Sequence, residues 1–418
     1  MEKEIVKKII VENQEFLLNR KIVERDITLD DHLNYVFTGL RRAGKSYLMF
    51  QHIRKLMKSK DFPIQRILYI NFEDERISWL QASELGLLLD AYKELFDYVP
   101  VIFLDEIQNV TSWEKFARRL ADQEYRVFVT GSNAKMLSKE IHTTLGGRFL
   151  IKEVFPFSFK EYLQFNKINL EKNWEYGEER NKVFKLFQTY FYYGGFVETF
   201  LTDEKRLWLN SLYQKILLGD IVFRNEIRND NAIRILAKKL AESVMHPTSL
   251  NRLKNIIESA GVTVSRVTMV DYLNYFADAY MIFGISNFVN NLSERETIKK
   301  RYFFDNGLLN NFLFDPETKL LENIVACHLV KKFGENLFFY HKTIEVDFYI
   351  PSESTAIQVS YSIVHADTEN REVATLIKLS EKFNPQKLEI ITFNEERQIT
   401  AGNKIISVIP VWKWLLKN

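Results

Sequence analysis

The stretch Gly39-Leu40-Arg41-Arg42-Ala43-Gly44-Lys45-Ser46 decides the fold of this 418-residue chain. It matches the phosphate-loop pattern G-x-x-x-x-G-K-[ST] at every fixed position. Residues 35–38 before it are apolar and β-prone, and residues 47–53 after it have a helical pattern. A strand that turns into a helix through such a loop directs backbone N–H groups and the positive end of the helix dipole at one point. The stretch therefore predicts a phosphate-binding loop in an α/β domain.

The residue types in this loop predict how it would hold a nucleotide. The two glycines allow the backbone to turn tightly around phosphate oxygens. Lys45 is expected to reach the β- and γ-phosphates, and the Ser46 hydroxyl is expected to hold Mg²⁺. The predicted nucleotide-contacting residues are Gly39, Arg41, Arg42, Ala43, Gly44, Lys45, Ser46 and Tyr47.

A second motif is the apolar run 101–104, which ends in Asp105 and Glu106. Such a run predicts a buried parallel strand, and ligands bind at the carboxyl ends of these strands. Asp105 is expected to hold Mg²⁺ and Glu106 to polarise the attacking water. A further apolar strand at residues 67–75 lies between the two motifs. This combination favours NTPases that carry their own water-activating glutamate over small GTPases and nucleotide kinases.

Two later positions keep both a catalytic and a structural interpretation. After the predicted strand 126–130, either Ser132 or Asn133 could contact the γ-phosphate or the attacking water, and the alternative is a simple turn. Arg148 follows two glycines and could be an arginine finger donated to a neighbour's nucleotide, or a surface arginine. The predicted catalytic residues are Glu106, Asn133 and Arg148, and the predicted metal ligands are Ser46 and Asp105.

The chain contains 46% hydrophobic and 14% aromatic residues, and this composition indicates a globular protein. The net charge of +2 does not indicate a nucleic-acid binder, and the single cysteine, Cys327, excludes a disulfide framework. No apolar run approaches the length of a membrane span. We expect a cytoplasmic protein that contacts no membrane. The expected partners are an unidentified protein client, further copies of the chain and, weakly, nucleic acid.

The pattern along the chain predicts that the nucleotide domain spans residues 1–157. Residues 158–229 are helical and aromatic, which indicates a lid or linker whose aromatic side chains pack in a core. Residues 230–304 predict a helix, a second helix, a short turn, a third helix and two strands, as in a winged helix. The third helix carries Asp271 and Asp278 besides Arg266, and a major-groove reader needs phosphate neutralisation. A structural or partner-binding winged helix is therefore favoured.

The ordered set of motifs resembles the prokaryotic AAA-superfamily ATPases that carry a C-terminal domain of unknown function. The resemblance covers nearly the whole chain, and the phosphate loop alone would not be specific. It rests on the phosphate loop and on residues 71–74, 104–106, 130–132, 147–148, 155–161, 193–196, 302–308 and 321–323. It implies a parallel AAA-type sheet, ATP and Mg²⁺ as ligands, a winged-helix-like middle and a restriction-endonuclease-like end at residues 305–418.

The restriction-endonuclease-like end departs from the pattern that such folds require for cleavage. Those folds place one acid on a helix, one on a strand and an E-x-K on the next strand. Glu322 and Asp347 match the acids, but Gln358 and Ser360 replace the second ligand and the lysine. A neutral amide binds Mg²⁺ weakly, and serine supplies no positive charge. We therefore expect an inactive domain, and the sequence gives no support for Lys378 as a relocated lysine.

The sequence is compatible with three functions. The first is an ATP-hydrolysing switch or remodelling ATPase of unknown client. The second is an ATP-dependent DNA-binding or DNA-processing protein with a nuclease-like end, against which Gln358 and Ser360 count. The third is an ATP-binding module with vestigial hydrolysis, against which the intact Lys45, Asp105 and Glu106 count.

Overall fold

The computed structural model describes residues 2–30, 32–58, 62–132 and 143–417. These residues form two compact units. The first contains the chain up to Phe155 together with Asp278–Tyr280, and the second contains Pro156–Ala277 and the chain from Met281 onward. The end of the first unit lies close to the predicted limit of the nucleotide domain at residue 157.

The first unit is an α/β domain built on a parallel sheet. Its strands are β1 (Asn34–Thr38), β2 (Ile67–Asn71), β3 (Val101–Asp105), β4 (Arg126–Gly131) and β5 (Phe149–Glu153). Its helices are α1 (Glu2–Asn19), α2 (Lys45–Met57), α3 (Gly86–Leu95) and α4 (Trp113–Asp122), with short 3-10 turns at Ile64–Arg66, Glu75–Ile77 and Ile107–Asn109.

The strands of this sheet lie in the order β2-β3-β4-β1-β5, and all four pairings are parallel. In sequence β2 separates the loop strand β1 from the acidic strand β3, but in space the strand between them is β4. The carboxyl ends of β1 and β3 lie at the same edge of the sheet, because the strands are parallel. The phosphate loop after β1 and Asp105 at the end of β3 are therefore brought together by the topology.

Both faces of the sheet are covered, which is why its central strands read as continuous apolar runs. Every residue of β3 is buried. On one face, alternate residues such as Ile102 pack with buried residues of α1, α3 and α4. On the other face, Phe103 stacks on Phe128 with ring centroids 4.8 Å apart, and His52 of α2 lies 4.5 Å from the Phe128 ring.

Helix α1 also covers the outer edge of β2. The side-chain amide of Asn13 donates to the carbonyl oxygen of Tyr69 at 3.0 Å, and that of Gln14 donates to the carbonyl oxygen of Ile67 at 2.9 Å. These side chains take the place of a neighbouring strand, and pairing of a free strand edge with another chain is thereby hindered.

The second unit contains a mixed sheet of nine strands. In chain order they are β6 (Thr248–Ser249), β7 (Ile282–Asn287), β8 (Ile298–Phe303), β9 (Phe338–His341), β10 (Glu345–Ile350), β11 (Thr355–Val359), β12 (Lys387–Thr392), β13 (Arg397–Ala401) and β14 (Lys404–Pro410). They lie in the order β13-β14-β12-β11-β10-β9-β7-β8-β6.

The helices of the second unit lie before, between and after these strands in the chain. They are α5 (Phe159–Phe165), α6 (Glu179–Tyr193), α7 (Val197–Leu201), α8 (Lys205–Lys215), a π-helical segment (Ile216–Phe223), α9 (Asp230–Glu242), α10 (Leu250–Ser259), α11 (Arg266–Asp278), α12 (Leu292–Thr297), α13 (Asn306–Asn310), α14 (Glu317–Phe333), α15 (Ala366–Phe383) and α16 (Val411–Lys417). Short 3-10 turns occur at Trp174–Tyr176, Gly334–Asn336 and Pro351–Glu353.

One sheet crosses the predicted division between residues 304 and 305. Strand β7 pairs in parallel with β9, so that Ser286 is the register partner of Phe338. The predicted limits at 229/230 and 304/305 both fall inside the second compact unit, and as divisions within it they stay predictions.

Several aromatic residues of the predicted lid region are core residues, as expected. Phe187 and Phe191 of α6 are fully buried and pack with ring centroids 5.6 Å apart. Helix α6 ends at Tyr193, directly before the two glycines. The backbone N–H of Gly195 donates to the buried carboxylate of Asp305 at 2.8 Å, so two of the motifs behind the resemblance meet in one structural contact.

Candidate nucleotide-binding site

The phosphate loop adopts a conformation that depends on its glycines. Gly39 has a φ of 140°, and a Cβ atom there would overlap the carbonyl oxygen of Val154. Gly44 has a φ of 95° directly before the first residue of α2, and Arg42 has a φ of 66°. Left-handed residues alternating with ordinary ones turn successive N–H groups toward one side, which creates an anion-binding concavity. The loop therefore has the backbone shape that a phosphate requires.

Lys45 is the cation of this loop and is only 4% exposed. Its ammonium donates to the carbonyl oxygens of Gly39 and Leu40, both at 3.1 Å. These two bonds fold the side chain back over the loop, so its charge lies against the loop backbone. A phosphate in the loop would be contacted by a fixed positive charge.

Asp105 is a buried carboxylate surrounded by hydroxyl groups. Ser46 donates to its Oδ1 atom at 3.0 Å and Tyr69 donates to Oδ2 at 2.7 Å, while Thr130 also donates to Oδ1. Burial raises the pKa of Asp105, and the three hydroxyl donors act against that rise. A serine hydroxyl beside a carboxylate is the oxygen donor set that Mg²⁺ takes together with nucleotide phosphates. The predicted pair of metal ligands is thus brought together by the fold.

Glu106 begins the loop after β3 in a strained backbone conformation, with a φ of 54°. Its backbone N–H donates to the Thr130 hydroxyl at 2.9 Å. Its carboxylate accepts from the Ser132 hydroxyl at 3.1 Å and from the Gln108 amide at 2.5 Å. A left-handed non-glycine residue costs free energy, and such strain is often found at functional sites. Glu106 is therefore held at the same sheet edge as Lys45 and Asp105, in a fixed orientation.

The remaining loop residues have supporting positions. Arg41 forms an ion pair with Glu73 at 3.3 Å, after the end of β2. Arg42 and Tyr47 line an open cleft of about 1300 Å³ that also reaches Ser46 and Asp105. This cleft lies in the first unit, beside the two predicted metal ligands, and is large enough to admit solvent and a ligand to them.

Several residues of this site carry no sequence signal that identified them. Arg25 is buried, and its guanidinium donates to the carbonyl oxygens of Ala43 and Phe155, both at 3.0 Å. Through the bond to Ala43, Arg25 holds the backbone of the phosphate loop in place. Tyr69 and Thr130 belong to recognisable strands, but only the strand order reveals that both reach Asp105. A sequence-based prediction that placed β2 and β4 on either side of β3 would have identified both hydroxyls.

Of the other two predicted catalytic residues, the structure describes Arg148, which lies apart from this set. Arg148 directly precedes β5 and so lies at the amino edge of the parallel sheet, opposite the phosphate loop. Its guanidinium forms an ion pair with Asp122 and a hydrogen bond with the carbonyl oxygen of Gly146. Asn133 lies outside the described residues. Its alternative, Ser132, contacts Glu106 as stated above.

In the second unit, the acids of the nuclease-like pattern surround a lysine. Lys300 of β8 is fully buried, and its ammonium lies 2.9 Å from Asp347, 2.9 Å from Glu345 and 3.4 Å from Glu322. Burial lowers the pKa of Lys300, but the three carboxylates outweigh burial and raise it overall. Gln358 accepts from the backbone N–H of Asp347 and donates to Glu372 at 2.7 Å. The three carboxylates thus share one ammonium that the protein itself supplies.

Within the described ranges, no group of three or more His, Cys, Asp or Glu side chains is arranged to hold a metal ion. No helix in the described part of the chain is long and apolar enough to cross a membrane.

The fold and the site together define the class of the protein as an AAA-domain P-loop ATPase. Residues 32–163 match a family profile described as an AAA domain, and residues 184–342 match a domain of unknown function (DUF8612). The chain belongs to the family of the uncharacterized protein MJ1544 of Methanocaldococcus jannaschii. The two are 36% identical over 430 aligned residues, which cover 99% of this chain and 95% of the relative.

Two other similar proteins extend this comparison. An uncharacterized protein of Haemophilus influenzae is 27% identical over 394 residues, covering 91% of this chain and 94% of that protein. Among solved structures, a Walker-type ATPase of Pyrococcus abyssi is similar with a TM-score of 0.40 and 15% identity. That similarity covers 70% of this chain and 98% of the Pyrococcus chain.

Proposed function

We propose that the protein binds ATP with Mg²⁺, hydrolyses the γ-phosphate, and uses this cycle as a switch or remodelling ATPase on a protein client. The observation that carries the proposal is the shared position of Lys45, Asp105 and Glu106 at one edge of the parallel sheet. A phosphate-binding cation, a metal-binding carboxylate and a candidate water-activating carboxylate are the groups that phosphoryl transfer to water requires.

The roles of these residues follow from their contacts. The Lys45 ammonium would exchange its carbonyl partners for phosphate oxygens, to which a charged donor binds more strongly. Ser46 and Asp105 would hold the metal, which neutralises charge on the phosphate oxygens. Thr130 and Tyr69 keep the Asp105 carboxylate oriented through their hydroxyl groups. The chain thus supplies most of the catalysis by positioning and charge.

Glu106 would orient the attacking water and accept its proton. Its carboxylate is held by Ser132 and Gln108, which fixes its direction before any nucleotide chemistry takes place. A base in this role must be within hydrogen-bonding reach of the water. Ser132 lies at the end of β4 beside this carboxylate, and we propose it as a residue that positions Glu106.

Arg148 would act on the nucleotide of another copy of the chain. Strand β5 separates Arg148 from the carboxyl edge of its own sheet by five residues, or roughly 17 Å at 3.3 Å per residue. That distance exceeds the reach of an arginine side chain. An arginine-finger role is therefore proposed only between copies, in a homo-oligomer, where it would stabilise transition-state charge.

The second candidate function, nucleic-acid processing, is weakened by Lys300. We propose that residues 230–304 are a winged-helix-like part and residues 305–418 an inactive restriction-endonuclease-like part. The support is that Glu322 and Asp347 are already paired with a buried ammonium, which a divalent cation would have to displace.

Purified protein with Mg²⁺ or Mn²⁺ and ATP should leave linear, supercoiled and single-stranded nucleic-acid substrates uncut. Cleavage that disappears in Asp347→Ala would favour the processing function instead.

ATP binding is tested directly by Lys45→Ala. The variant loses the charged donor of the loop, and hydrogen bonds to charged groups contribute about 1.5–3 kcal/mol each. Affinity for a fluorescent ATP analogue, measured by titration, should fall by about 100-fold. Lys58→Ala removes an exposed lysine just beyond α2 and should bind as the unmodified protein does. Equal affinities for the two variants would contradict the assignment of the loop.

A further inference from the structure

Two consecutive residues of β8, Lys300 and Arg301, point to opposite faces of the sheet in the second unit. Lys300 lies among three carboxylates, as described above. Arg301 is 7% exposed and donates from Nη1 to the carbonyl oxygen of Thr248 at 2.9 Å. Burial lowers its pKa to about 10, and no carboxylate among the described residues pairs with it. A buried arginine without an anion is unfavourable unless an anion comes from elsewhere.

Arg301 lines an open groove rather than a closed core. The groove has a volume of about 920 Å³ and lies between helix α11 and the β7–β8 hairpin. Its apolar lining includes Val270, Leu273, Ile282 and Phe283. On the exposed side of α11, Val267 is 71% and Val270 is 36% exposed. A buried cation at the base of an apolar groove is an arrangement that recognises an anionic group carried on an apolar ligand.

The charges around the groove favour an acidic ligand. Arg266, Lys299 and Arg301 line it, while its one lining acid is Glu296, which pairs with Lys299 at 3.2 Å. The groove therefore has an excess of positive charge, and electrostatic complementarity selects a negatively charged partner.

The apolar lining favours a peptide over a nucleic acid. Binding to a phosphate backbone needs several exposed cations along the reading helix. Helix α11 has Arg266 as its basic residue and also carries Asp271 and two exposed valines. A peptide can place apolar side chains on Leu273 and Phe283 and a carboxylate on Arg301 at the same time.

We propose that this groove is a docking site for an acidic, apolar peptide segment of a protein partner, whose carboxylate pairs with Arg301. The inference concerns the second unit and is independent of ATP hydrolysis by the first. A loss of peptide binding and a loss of ATP turnover can therefore be distinguished in separate assays.

The probe is a phage-displayed library of random dodecapeptides, panned on the immobilised full-length protein. Enriched peptides are then synthesised with fluorescein and titrated by anisotropy. We expect enriched sequences with Asp or Glu flanked by apolar residues. Failure to enrich any peptide, or enrichment of basic or uncharged peptides, would overturn the proposal.

Charge variants at Val270 give the sharpest comparison, because this side chain is exposed and its replacement should not affect folding. Val270→Glu places a negative charge in the groove. This charge should repel an acidic peptide and weaken the binding of an enriched peptide at least 10-fold. Val270→Lys should bind the peptide as tightly as the unmodified protein, or more tightly. Equal weakening by both variants would contradict the proposed charge recognition.

Arg301→Met keeps the volume of the side chain but removes its charge, and should weaken peptide binding at least 10-fold. Arg252→Met, on the exposed side of α10, is the matched control and should leave binding unchanged. If Arg301→Met does not fold, as judged by circular dichroism, the comparison of Val270→Glu with Val270→Lys decides the question.

A labelled duplex DNA is the competing probe. If the DNA competes with the peptide, and if Arg301→Met binds neither of them, the groove binds nucleic acid instead.

Discussion

Lys300 of β8 and Asp347 of β10, two strands of one sheet, form a buried ion pair with a distance of 2.9 Å between ammonium nitrogen and carboxylate oxygen. Glu322 reaches the same ammonium and also accepts from the Tyr302 hydroxyl at 2.6 Å. In the nuclease-like pattern, the two acids would face a metal ion. Here a cation that is covalently attached to β8 lies among the acids instead, and it balances part of their negative charge.

Removal of that cation should be strongly destabilising. Lys300→Met leaves buried carboxylates without their counter-charge, and breaking a buried ion pair from one side costs about 3–5 kcal/mol. The free energy of unfolding is measured by urea denaturation of the full chain. Lys299→Met is the matched control, because its pair with the exposed Glu296 is worth at most about 1 kcal/mol. Similar small losses in both variants would show that the cluster does not stabilise the fold.

The same cluster should make stability depend on pH through Glu322. Burial raises the pKa of Glu322 from its ordinary 4.5 to about 7. Between these two values the folded chain binds more protons than the unfolded chain, so this group lowers the free energy of unfolding as pH rises from about 4.5 to 7. Glu322→Gln should remove that component, and the difference between the two denaturation profiles should widen across this window. Parallel profiles for the two proteins would contradict the assigned shift.

Arg148 should affect turnover without affecting ATP affinity, if it acts between copies of the chain. Arg148→Ala removes charge that stabilises the transition state, and loss of such a finger lowers turnover by about 1000-fold in related chemistry. Phosphate release per copy of the unmodified protein should also rise with protein concentration as oligomers form. Activity that is independent of concentration in a monomeric protein would contradict action in trans.

The sequence predicted the parts of the site that are local in the chain. The phosphate loop and the pair Asp105–Glu106 each occupy a few consecutive residues, so their chemistry and their strand context can be read together. The structure brings these two motifs to one edge of a sheet, which their positions at strand ends predicted. The start of α10 was also predictable, because Ser249 is a local cap that accepts from the backbone N–H of Arg252 at 3.2 Å.

Other contacts depend on which strands become neighbours, and the sequence does not specify this. Tyr69 and Thr130 belong to strands that flank β3, and only this order directs both hydroxyls to Asp105. Lys300 lies in β8, directly before the residues 301–304 that were predicted as a wing strand, and 47 residues before its partner Asp347. Nothing in that strand indicates a buried cation, because Lys300 stands between two other basic residues, Lys299 and Arg301, and lysine is mostly exposed.

The most direct test of the proposed ATPase is the rate of phosphate release by Glu106→Gln, measured beside ATP binding by the same preparation. The amide keeps the shape of the side chain but cannot accept the proton from water. We predict an ATP affinity close to that of the unmodified protein and a release rate lower by about 100-fold or more. Glu124→Gln, an exposed residue of the same unit, should hydrolyse ATP normally. Hydrolysis by Glu106→Gln at the unmodified rate would contradict the assignment of Glu106 as the base.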